Sequence, residues 1–443
     1  MAQESVYIET FGCQMNTADT ERAATKLRAA GYALTPQAAE ADVVLFNTCS
    51  VRERAEQKVF NRMGELPVGA KRPIVGIMGC VAQLEGEELF DIAPQVRLVV
   101  GTRATDRLPA LIARARAGER HVLDLGERQP EELWDVSPSE RRAPHVAFVP
   151  IIEGCNKFCT YCIVPYSRGR ESSRPAIEIV REIALLREMG YREVQLIGQN
   201  VNSYRPKNEQ GLEGIAGATP FARLLRAVAA TGMPRIKYTT SFPRDFHADI
   251  VAAMDEHENL CNWIHLPVQS GSDPVLRAMR RGYKAADYLA RVEVIRQSRR
   301  HYALTSDIII GFPGETAEDF QATLRLVEQC QFDSLYIFKY SERPNTPAAK
   351  LADIVSDNEK AARFQALEEL QKGIQAQIFN SYIGRNVSVL VERRSTRGEA
   401  DMMGHSTCNK VVNFPGSEAL KGQVVSVRIT EAKAHSLYGE MQN

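Results

Sequence analysis

Short apolar runs alternate with helical patterns over the first 120 residues of the chain. Four runs predict strands, and three patterns with apolar residues at helical spacing predict helices. The runs are Val6–Phe11, Ala41–Thr48, Pro73–Gly79 and Val96–Val100, and the helical patterns are Thr20–Ala30, Arg52–Leu66 and Arg107–Ala117. Nearly continuous apolar runs are typical of parallel strands covered on both faces. The alternation therefore predicts a doubly wound α/β domain with a parallel sheet over residues 1–120.

A second series of strand and helix patterns begins after residues 121–144, a polar stretch with several prolines and serines that is predicted to be a linker. Residues 145–373 contain six predicted strands with helices between them, so a partial (β/α)6 barrel is expected rather than a closed eightfold one. The strands are Val146–Glu153, Glu193–Gly198, Arg235–Thr240, Trp263–Val268, Thr305–Ile310 and Ser334–Tyr340. Residues 374–443 alternate apolar and polar positions in the runs VSVLVE, KVVNF and QVVSVRI. These runs predict a small antiparallel β-barrel.

Composition narrows the class of protein without identifying it. The 443 residues are 44% hydrophobic and 25% charged, which is typical of a globular protein and excludes a disordered or collagen-like chain. No apolar run reaches the ~18 residues of a membrane span. The first ten residues carry acidic side chains and no basic segment, so a signal peptide is not expected. These features predict a cytoplasmic protein with no membrane segment.

Three cysteines of the first predicted domain share one position in the pattern. Cys13, Cys49 and Cys80 each come just after a predicted parallel strand. The carboxyl ends of parallel strands lie along one edge of a sheet, where ligands bind. We therefore expect the three thiols to converge in space and to hold a metal centre. The alternative is three unrelated buried cysteines.

A second set of cysteines forms a C-x3-C-x2-C motif directly after the first strand of the predicted partial barrel. The loops at this end of the strands build the active sites of βα-barrels. A structural zinc site would need a fourth ligand nearby, and the nearest histidine, His145, is separated from Cys155, Cys159 and Cys162 by a strand. Three thiolates without a fourth ligand suit a cubane iron–sulfur cluster with one open iron. A zinc site and a run of free cysteines are the alternatives.

These motifs resemble those of the radical S-adenosylmethionine (SAM) superfamily and, within it, those of the methylthiotransferases. The stretches that carry the resemblance are TFGCQMNTADTE, LFNTCSVRERAEQKVF, GIMGCVAQ, EGCNKFCTYCIVPYSRGRESSRP, LIGQNVNSY, HLPVQSGS and SDIIIGFPGET. The C-terminal β-rich segment resembles the RNA-binding TRAM domain. Two stretches, NTCSVRERAEQKVF and CNKFCTYCIVPYSRGRE, favour the tRNA-modifying type over the type that modifies ribosomal protein S12.

The resemblance implies a transferase with two 4Fe–4S clusters and six catalytic cysteines. Cys155, Cys159 and Cys162 would hold the cluster that binds SAM. The three cysteines of the first domain would hold an auxiliary cluster, which provides the transferred sulfur. Two SAM molecules would be used per turnover, one as the source of a 5′-deoxyadenosyl radical and one as the methyl donor. These ligand sets follow from the resemblance and extend what the spacing alone indicates.

Polar residues and glycines after the barrel strands are the candidate contacts of SAM. Gln199, Asn200 and Gln269 follow predicted strands, and Gly311 would let the backbone approach the adenine of SAM. Ordinary turn chemistry would explain the same residues equally well. Arg168 and Arg170 are candidates for contact with an RNA phosphate or the SAM carboxylate, with a solvated surface as the alternative.

The implied reaction converts N(6)-dimethylallyladenosine beside the tRNA anticodon to its 2-methylthio derivative. The implied partners are the tRNA anticodon loop and an external low-potential electron donor of the flavodoxin or ferredoxin kind, and a monomer is expected. The alternative substrates are threonylcarbamoyl-adenosine tRNA and ribosomal protein S12. A different class of function, a non-catalytic RNA-binding protein stabilised by metal, also stays open.

The C-terminal segment carries the candidate RNA contacts. Residues 374–443 contain eight Lys or Arg and six Asp or Glu, so its net charge is only weakly positive. Small β-barrels bind nucleic acid through strand faces and loops. The basic candidates are Arg385, Arg393, Arg394, Arg397, Lys410, Lys421, Arg428 and Lys433.

Overall fold

The computed structural model describes residues 3–442 except 51–52, 67–72, 129–133, 135, 353, 397 and 399. Three parts of the predictions therefore lie outside the described residues. They are Arg397, Arg52 at the start of the helix predicted to end at Leu66, and part of the linker predicted over residues 121–144. The chain forms two compact units. The first contains residues 1–143, 153–156 and 163–172, and the second contains residues 144–152, 157–162 and 173–443.

The first unit is built on a parallel sheet whose six strands have the order β2-β1-β3-β4-β5-β6. The strands are β1 (Ser5–Phe11), β2 (Ala33–Leu34), β3 (Val43–Thr48), β4 (Ile74–Gly79), β5 (Val96–Val100) and β6 (Val122–Asp124). The helices are α1 (Gln14–Ala29), α2 (Glu53–Gly64), α3 (Cys80–Glu85), α4 (Glu88–Ile92), α5 (Leu108–Arg116) and α6 (Val164–Ser167). Separate apolar clusters contain alternate residues of β3, such as Leu45 and Phe46, so the sheet is covered on both faces. The predicted doubly wound fold is confirmed.

The range predicted as a linker contains ordered structure of the first unit. Val122, whose side chain is buried, is the first residue of the edge strand β6. Farther along, the backbone N–H of Ser137 donates to Thr25 Oγ1 at 2.9 Å, and that of Arg142 donates to Glu21 Oε1 at 3.0 Å. Polar composition alone does not distinguish a free linker from a segment tied down by such hydrogen bonds.

The second unit begins with the partial barrel. Its strands pair in parallel as β7-β10-β11 and β12-β13-β14, and a parallel bridge between Ile236 and Leu260 links the two groups. The strands of these two groups are β7 (Val146–Pro150), β10 (Glu193–Ile197), β11 (Arg235–Tyr238), β12 (Trp263–His265), β13 (Ala303–Ile310) and β14 (Ser334–Lys339). Two short strands, β8 (Ile152–Glu153) and β9 (Ser172–Ser173), form a separate two-stranded sheet. The helices are α7 (Ala176–Glu188), α8 (Pro220–Ala229), α9 (Ala248–Glu256), α10 (Asp273–Ala278), α11 (Ala285–Arg296), α12 (Ala317–Cys330) and α13 (Asp357–Asn380). The predicted partial barrel is confirmed.

The C-terminal part of the second unit is a closed barrel of five strands in the order β15-β16-β17-β19-β18. The strands are β15 (Asn386–Arg394), β16 (Asp401–Ser406), β17 (Val411–Pro415), β18 (Val424–Ala432) and β19 (Leu437–Met441). The predicted small barrel is confirmed, with two differences. The sequence pattern missed β16 and β19, and the pairing of β17 with β19 is parallel rather than antiparallel. Within the described residues, no helix is long and apolar enough to cross a membrane.

Candidate active site

The three cysteines of the first unit follow three strands that are neighbours in the sheet. Phe11 at the end of β1 pairs with Thr48 at the end of β3, and Thr48 pairs with Gly79 at the end of β4. Because the strand ends are in register, the residues that follow them, Cys13, Cys49 and Cys80, lie at one edge. Cys13 is exposed, and the other two are buried. The structure thus brings together the three thiols predicted to converge.

Two glycines and a buried amide pair allow this close approach. A Cβ on Gly12 would lie 2.5 Å from Asn16 Oδ1 and 2.7 Å from the Cβ of Cys49. Asn16 Nδ2 donates to Asn47 Oδ1 at 3.0 Å, and Asn16 Oδ1 accepts from the backbone N–H of Cys13 at 3.3 Å. A Cβ on Gly79, where φ is +94°, would meet Asn47 Oδ1 at 2.4 Å. The strand ends are therefore joined by a network that leaves no room for larger residues.

A buried arginine lies beside these thiols. Arg168 is 2% exposed, and its Nη2 pairs with Asp19 Oδ2 at 2.6 Å while its Nη1 lies 3.5 Å from Glu153 Oε1. Its positive charge also lies close enough to Cys80 to oppose the rise that burial causes in the pKa of that thiol. Two carboxylates therefore compensate the charge of Arg168, and the side chain is not available to an RNA phosphate. The predicted RNA contact of Arg168 is wrong because the side chain is buried, whereas Arg170 is exposed.

The surroundings change the acidity of the thiols in opposite directions. A hydrogen bond from Cys49, aided by the charge of Arg168 and opposed by burial, lowers the pKa of Cys13 to about 6. Burial raises the pKa of Cys80, and the charge of Arg168 opposes that rise. Thiolates are the form in which cysteine binds metal. Cys13 is therefore more readily ionised than Cys80.

The loop that carries the second cysteine set is shaped by its backbone. Gly154, with φ +80°, lies so close to the chain that its Cβ would meet the carbonyl oxygen of Arg170 at 2.2 Å. The backbone N–H of Cys155 donates to Gly169 O at 3.1 Å. Within the second unit, the N–H of Thr160 donates to Met279 O at 3.1 Å, and that of Cys162 donates to Cys159 O at 3.0 Å. Each half of the loop is held by backbone hydrogen bonds.

A second buried arginine contacts this loop. Arg281 is 5% exposed, and its Nη1 lies 3.4 Å from both Cys159 Sγ and the hydroxyl of Tyr161. Its Nη2 donates to Pro267 O at 2.8 Å, and its Nε donates to the hydroxyl of Tyr283 at 2.9 Å. Among the described residues, no carboxylate pairs with it. A buried cation without a counterion is costly, so this position suits an anionic partner.

Three buried polar atoms lie in the loops that follow neighbouring strands of the partial barrel. They are Asn200 Oδ1 after β10, Ser241 Oγ after β11 and Gln269 Oε1 after β12, and none has a hydrogen-bond partner among the described residues. Gln269 also adopts a positive φ of +75° while its backbone bridges to β13. Buried polar groups are almost always paired, so a set of orphans at one sheet edge indicates a missing polar ligand.

The other two candidate SAM contacts differ from this group. The side chain of Gln199 is half-buried. Beside Gly311, where φ is +66°, a Cβ would meet Lys360 Cγ at 2.4 Å, and the Gly311 N–H donates to Glu315 Oε1 at 3.0 Å. The close approach at Gly311 is therefore made by Lys360 of α13. A SAM contact at Gln199 or Gly311 stays a prediction.

The inner face of the partial barrel carries polar and aromatic groups near its open edge. His265 Nε2 on β12 lies 3.5 Å from Asp307 Oδ1 on β13, and the His265 ring packs edge-on against Tyr336 of β14. Tyr336 and Phe338 are 50% and 52% exposed. The alternate residues Leu335 and Ile337 pack on the main apolar core instead. The last strand therefore presents two aromatic rings on the face that is not covered by helices.

The chain matches three family descriptions in succession. Residues 5–101 match "Uncharacterized protein family UPF0004", residues 149–327 match the Radical SAM superfamily, and residues 380–441 match the TRAM domain. The tRNA-2-methylthio-N(6)-dimethylallyladenosine synthase of Solibacter usitatus (strain Ellin6076) is 48% identical over 99% of this chain and 98% of its own length. The synthase of the same name from Koribacter versatilis (strain Ellin345) is 42% identical over the same shares.

The chain belongs to the tRNA-2-methylthio-N(6)-dimethylallyladenosine synthase family.

A solved structure supports the fold of this synthase family member. The radical SAM methyltransferase TsrM of Kitasatospora setae has a TM-score of 0.57 and 14% identity, and the match covers 78% of this chain and 75% of that one. The predictions of a radical SAM transferase and of 4Fe–4S and SAM as its cofactor classes are confirmed. The alternative of a non-catalytic RNA-binding protein is thereby ruled out.

The residues at both cysteine sets fit anionic iron–sulfur clusters. Each set offers three thiols and one buried arginine, and Arg281 lacks any other anion among the described residues. No group of three His, Cys, Asp or Glu side chains in the described part of the chain is arranged to chelate a single metal ion. A cubane takes each thiolate on a different iron, so its ligands do not need to converge on one point.

Several residues of the synthase site were not found from the sequence. Arg281, Ser241 and Tyr336 lie outside the quoted stretches, and His265 and Asp307 lie within HLPVQSGS and SDIIIGFPGET but were not singled out. Arg168 was predicted to contact an RNA phosphate or the SAM carboxylate, and its role as a buried partner of Asp19 and Glu153 was missed.

Proposed function

We propose that this chain converts N(6)-dimethylallyladenosine beside the anticodon of tRNA to the 2-methylthio derivative. The relatives quoted above carry this reaction in their names. The observation that carries the proposal is that the chain has two three-thiol sets, one at the strand ends of the parallel sheet and one on the loop after the first strand of the radical SAM barrel. Threonylcarbamoyl-adenosine tRNA and ribosomal protein S12 are not favoured by these relatives.

We assign one cluster to each set of cysteines. Cys155, Cys159 and Cys162 would hold the cluster that is accessible to SAM, and the other three cysteines would hold the auxiliary cluster. When bound, the first cluster would supply the electron for cleavage of SAM, and the auxiliary cluster would supply the sulfur for transfer. Among the protein groups, Arg281 balances the negative charge at Cys159, and Arg168 does the same at Cys80.

The remaining protein groups position and enclose the reactants. The orphaned oxygens of Asn200, Ser241 and Gln269 are suited to hydrogen-bond SAM, whose ammonium and hydroxyl groups are donors. The exposed rings of Tyr336 and Phe338 offer a surface on which an unstacked adenine can lie. Water would be excluded from the reacting carbon when the base covers these rings.

The partners follow from the reaction. Electrons come from an external low-potential donor of the flavodoxin or ferredoxin kind, because none of the proposed residue roles provides them. We propose that the enzyme acts as a monomer in the cytoplasm, where tRNA is modified.

The test is an anaerobic assay with the reconstituted full-length enzyme, SAM and dithionite. Three substrates are compared: tRNA carrying dimethylallyladenosine, the same tRNA without the prenyl group, and an S12 peptide. Mass spectrometry of the nucleosides and peptides is expected to show a methylthio group on dimethylallyladenosine alone. SAM cleavage with no methylthio product on any substrate, or a product on the peptide, would overturn the proposed substrate.

A further inference from the structure

The structure sorts the basic residues of the C-terminal barrel into engaged and available side chains. Lys410 is buried and pairs with Asp333 of the partial barrel, so it holds the two parts of the second unit together. Arg394 pairs with Glu418 at 2.8 Å, and Lys433 lies 3.6 Å from Glu431. Three of the eight side chains predicted from the sequence as RNA contacts therefore already pair with a carboxylate of the protein.

Arg393 differs from its neighbour Arg394. Arg393 is exposed and forms no ion pair with any described residue, and it lines a cavity of about 180 Å³ in the barrel. The neighbouring Arg394 does not line that cavity. Two adjacent arginines on one strand, β15, thus have different surroundings, because successive side chains of a strand point to opposite faces.

The cavity combines polar and apolar walls. Met403 and Val411 provide apolar surface, and Asn413 and His435 provide polar groups. Ser436 lines the same cavity, is 4% exposed, and has no hydrogen-bond partner for its Oγ among the described residues. A buried hydroxyl without a partner is unfavourable unless a ligand or water completes it.

We propose that this cavity binds one unpaired ribonucleotide of the tRNA substrate, at a position other than the adenosine that is modified. Arg393 at the rim meets the phosphate, Met403 and Val411 contact the face of the base, and Ser436 hydrogen-bonds its polar edge. This chemistry matches single-stranded RNA, in which unstacked bases are held by apolar contacts and hydrogen bonds. The proposal rests on the proposed function only in taking tRNA as the substrate.

The test measures binding of full-length enzyme to tRNA across a range of salt concentrations, with Arg394→Ala as the matched control for Arg393→Ala. Arg393→Ala is expected to weaken binding about tenfold at low salt and to reduce the slope of log K against log salt by about one. Arg394→Ala is expected to leave both nearly unchanged, because its charge is already neutralised by Glu418. Ser436→Ala, which cannot donate, is expected to weaken binding roughly three- to tenfold with an unchanged salt slope.

Three results would overturn the cavity proposal: equal losses for Arg393→Ala and Arg394→Ala, an unchanged affinity for both Arg393→Ala and Ser436→Ala, or no tRNA binding by the wild-type chain. Thermal unfolding of each variant checks that the barrel is intact, and Arg393→Lys, which keeps the charge, should restore most of the binding. The affinity for tRNA is measured without catalytic turnover, so the result does not depend on methylthio transfer. If the cavity variants behave as expected while dimethylallyladenosine is not methylthiolated, the proposed function fails and the cavity proposal stands.

Discussion

The two cysteine sets of this synthase are assembled in different ways. Cys155, Cys159 and Cys162 lie within eight consecutive residues, so one loop carries all three thiols. Cys13, Cys49 and Cys80 come from three segments that meet only because β1, β3 and β4 are adjacent in the sheet. The first-unit set therefore depends on the fold of a whole sheet, whereas the loop set depends on local backbone geometry.

The buried arginines beside the two cysteine sets differ in how their positive charge is compensated. Arg168 is balanced by Asp19 and Glu153 and forms part of the packed interior of the first unit. Arg281 has hydroxyl, carbonyl and thiol partners but no carboxylate among the described residues. One arginine thus stabilises the protein itself, and the other is placed for an anion that binds later.

The largest expected effect separates the two cysteine sets. Cys159→Ala should abolish both SAM cleavage and methylthio transfer, because a thiol of the SAM-accessible cluster is lost. Cys80→Ala should abolish methylthio transfer and keep SAM cleavage, measured as 5′-deoxyadenosine by chromatography. If Cys80→Ala also removes SAM cleavage, the two sets do not function separately.

Replacing the arginines tests their different charge balance. Arg168→Met leaves Asp19 and Glu153 buried without this counterion and should lower the free energy of unfolding of the apo enzyme by about 3–5 kcal/mol. Arg281→Met removes an uncompensated buried cation and should change apo stability far less, while reducing the iron bound after reconstitution. Urea unfolding and iron analysis measure the two quantities. Similar stability losses in both variants would contradict the contrast.

Glycine substitutions test the dependence of the first set on the sheet. Gly79→Ala places a methyl group against Asn47 and Thr48 at a positive φ, and we expect a stability loss of about 3 kcal/mol together with loss of the auxiliary cluster. Gly31→Ala is the matched control, since its φ of +91° is similar and no atom lies within 4 Å of the added Cβ. It should cost about 1 kcal/mol and keep the iron content unchanged. Equal iron losses in both variants would point to backbone strain rather than crowding.

The smallest effect concerns Tyr336 on the exposed face of β14. Tyr336→Ala should raise KM for prenylated tRNA about tenfold with little change in kcat, because stacking on a base contributes roughly 1–3 kcal/mol. Tyr336→Phe should retain the wild-type KM. Val294→Ala, at an exposed site on α11, controls for loss of apolar surface. A KM unchanged by Tyr336→Ala would place the base elsewhere.

The order of elements and the chemistry of the loop followed from local patterns in the sequence. Continuous apolar runs predicted the parallel sheet, and the spacing of Cys155, Cys159 and Cys162 indicated a metal-binding loop. Such patterns can be recognised from neighbouring residues alone, because they do not depend on residues distant in the sequence. The strands β16 and β19 were missed because their alternation is interrupted by glycine and polar positions, and closure of the barrel stabilises them.

Tertiary structure alone decided which polar residues serve the site. The sequence determined that Cys13, Cys49 and Cys80 follow strands, but the strand order decided that those strands are neighbours. Arg168 and Arg281 are both arginines in polar stretches, and only burial shows that one is neutralised by carboxylates and the other is not. The physical reason is that charge compensation, burial and orphaned hydrogen-bonding groups depend on what lies nearby in space, which residues distant in sequence supply.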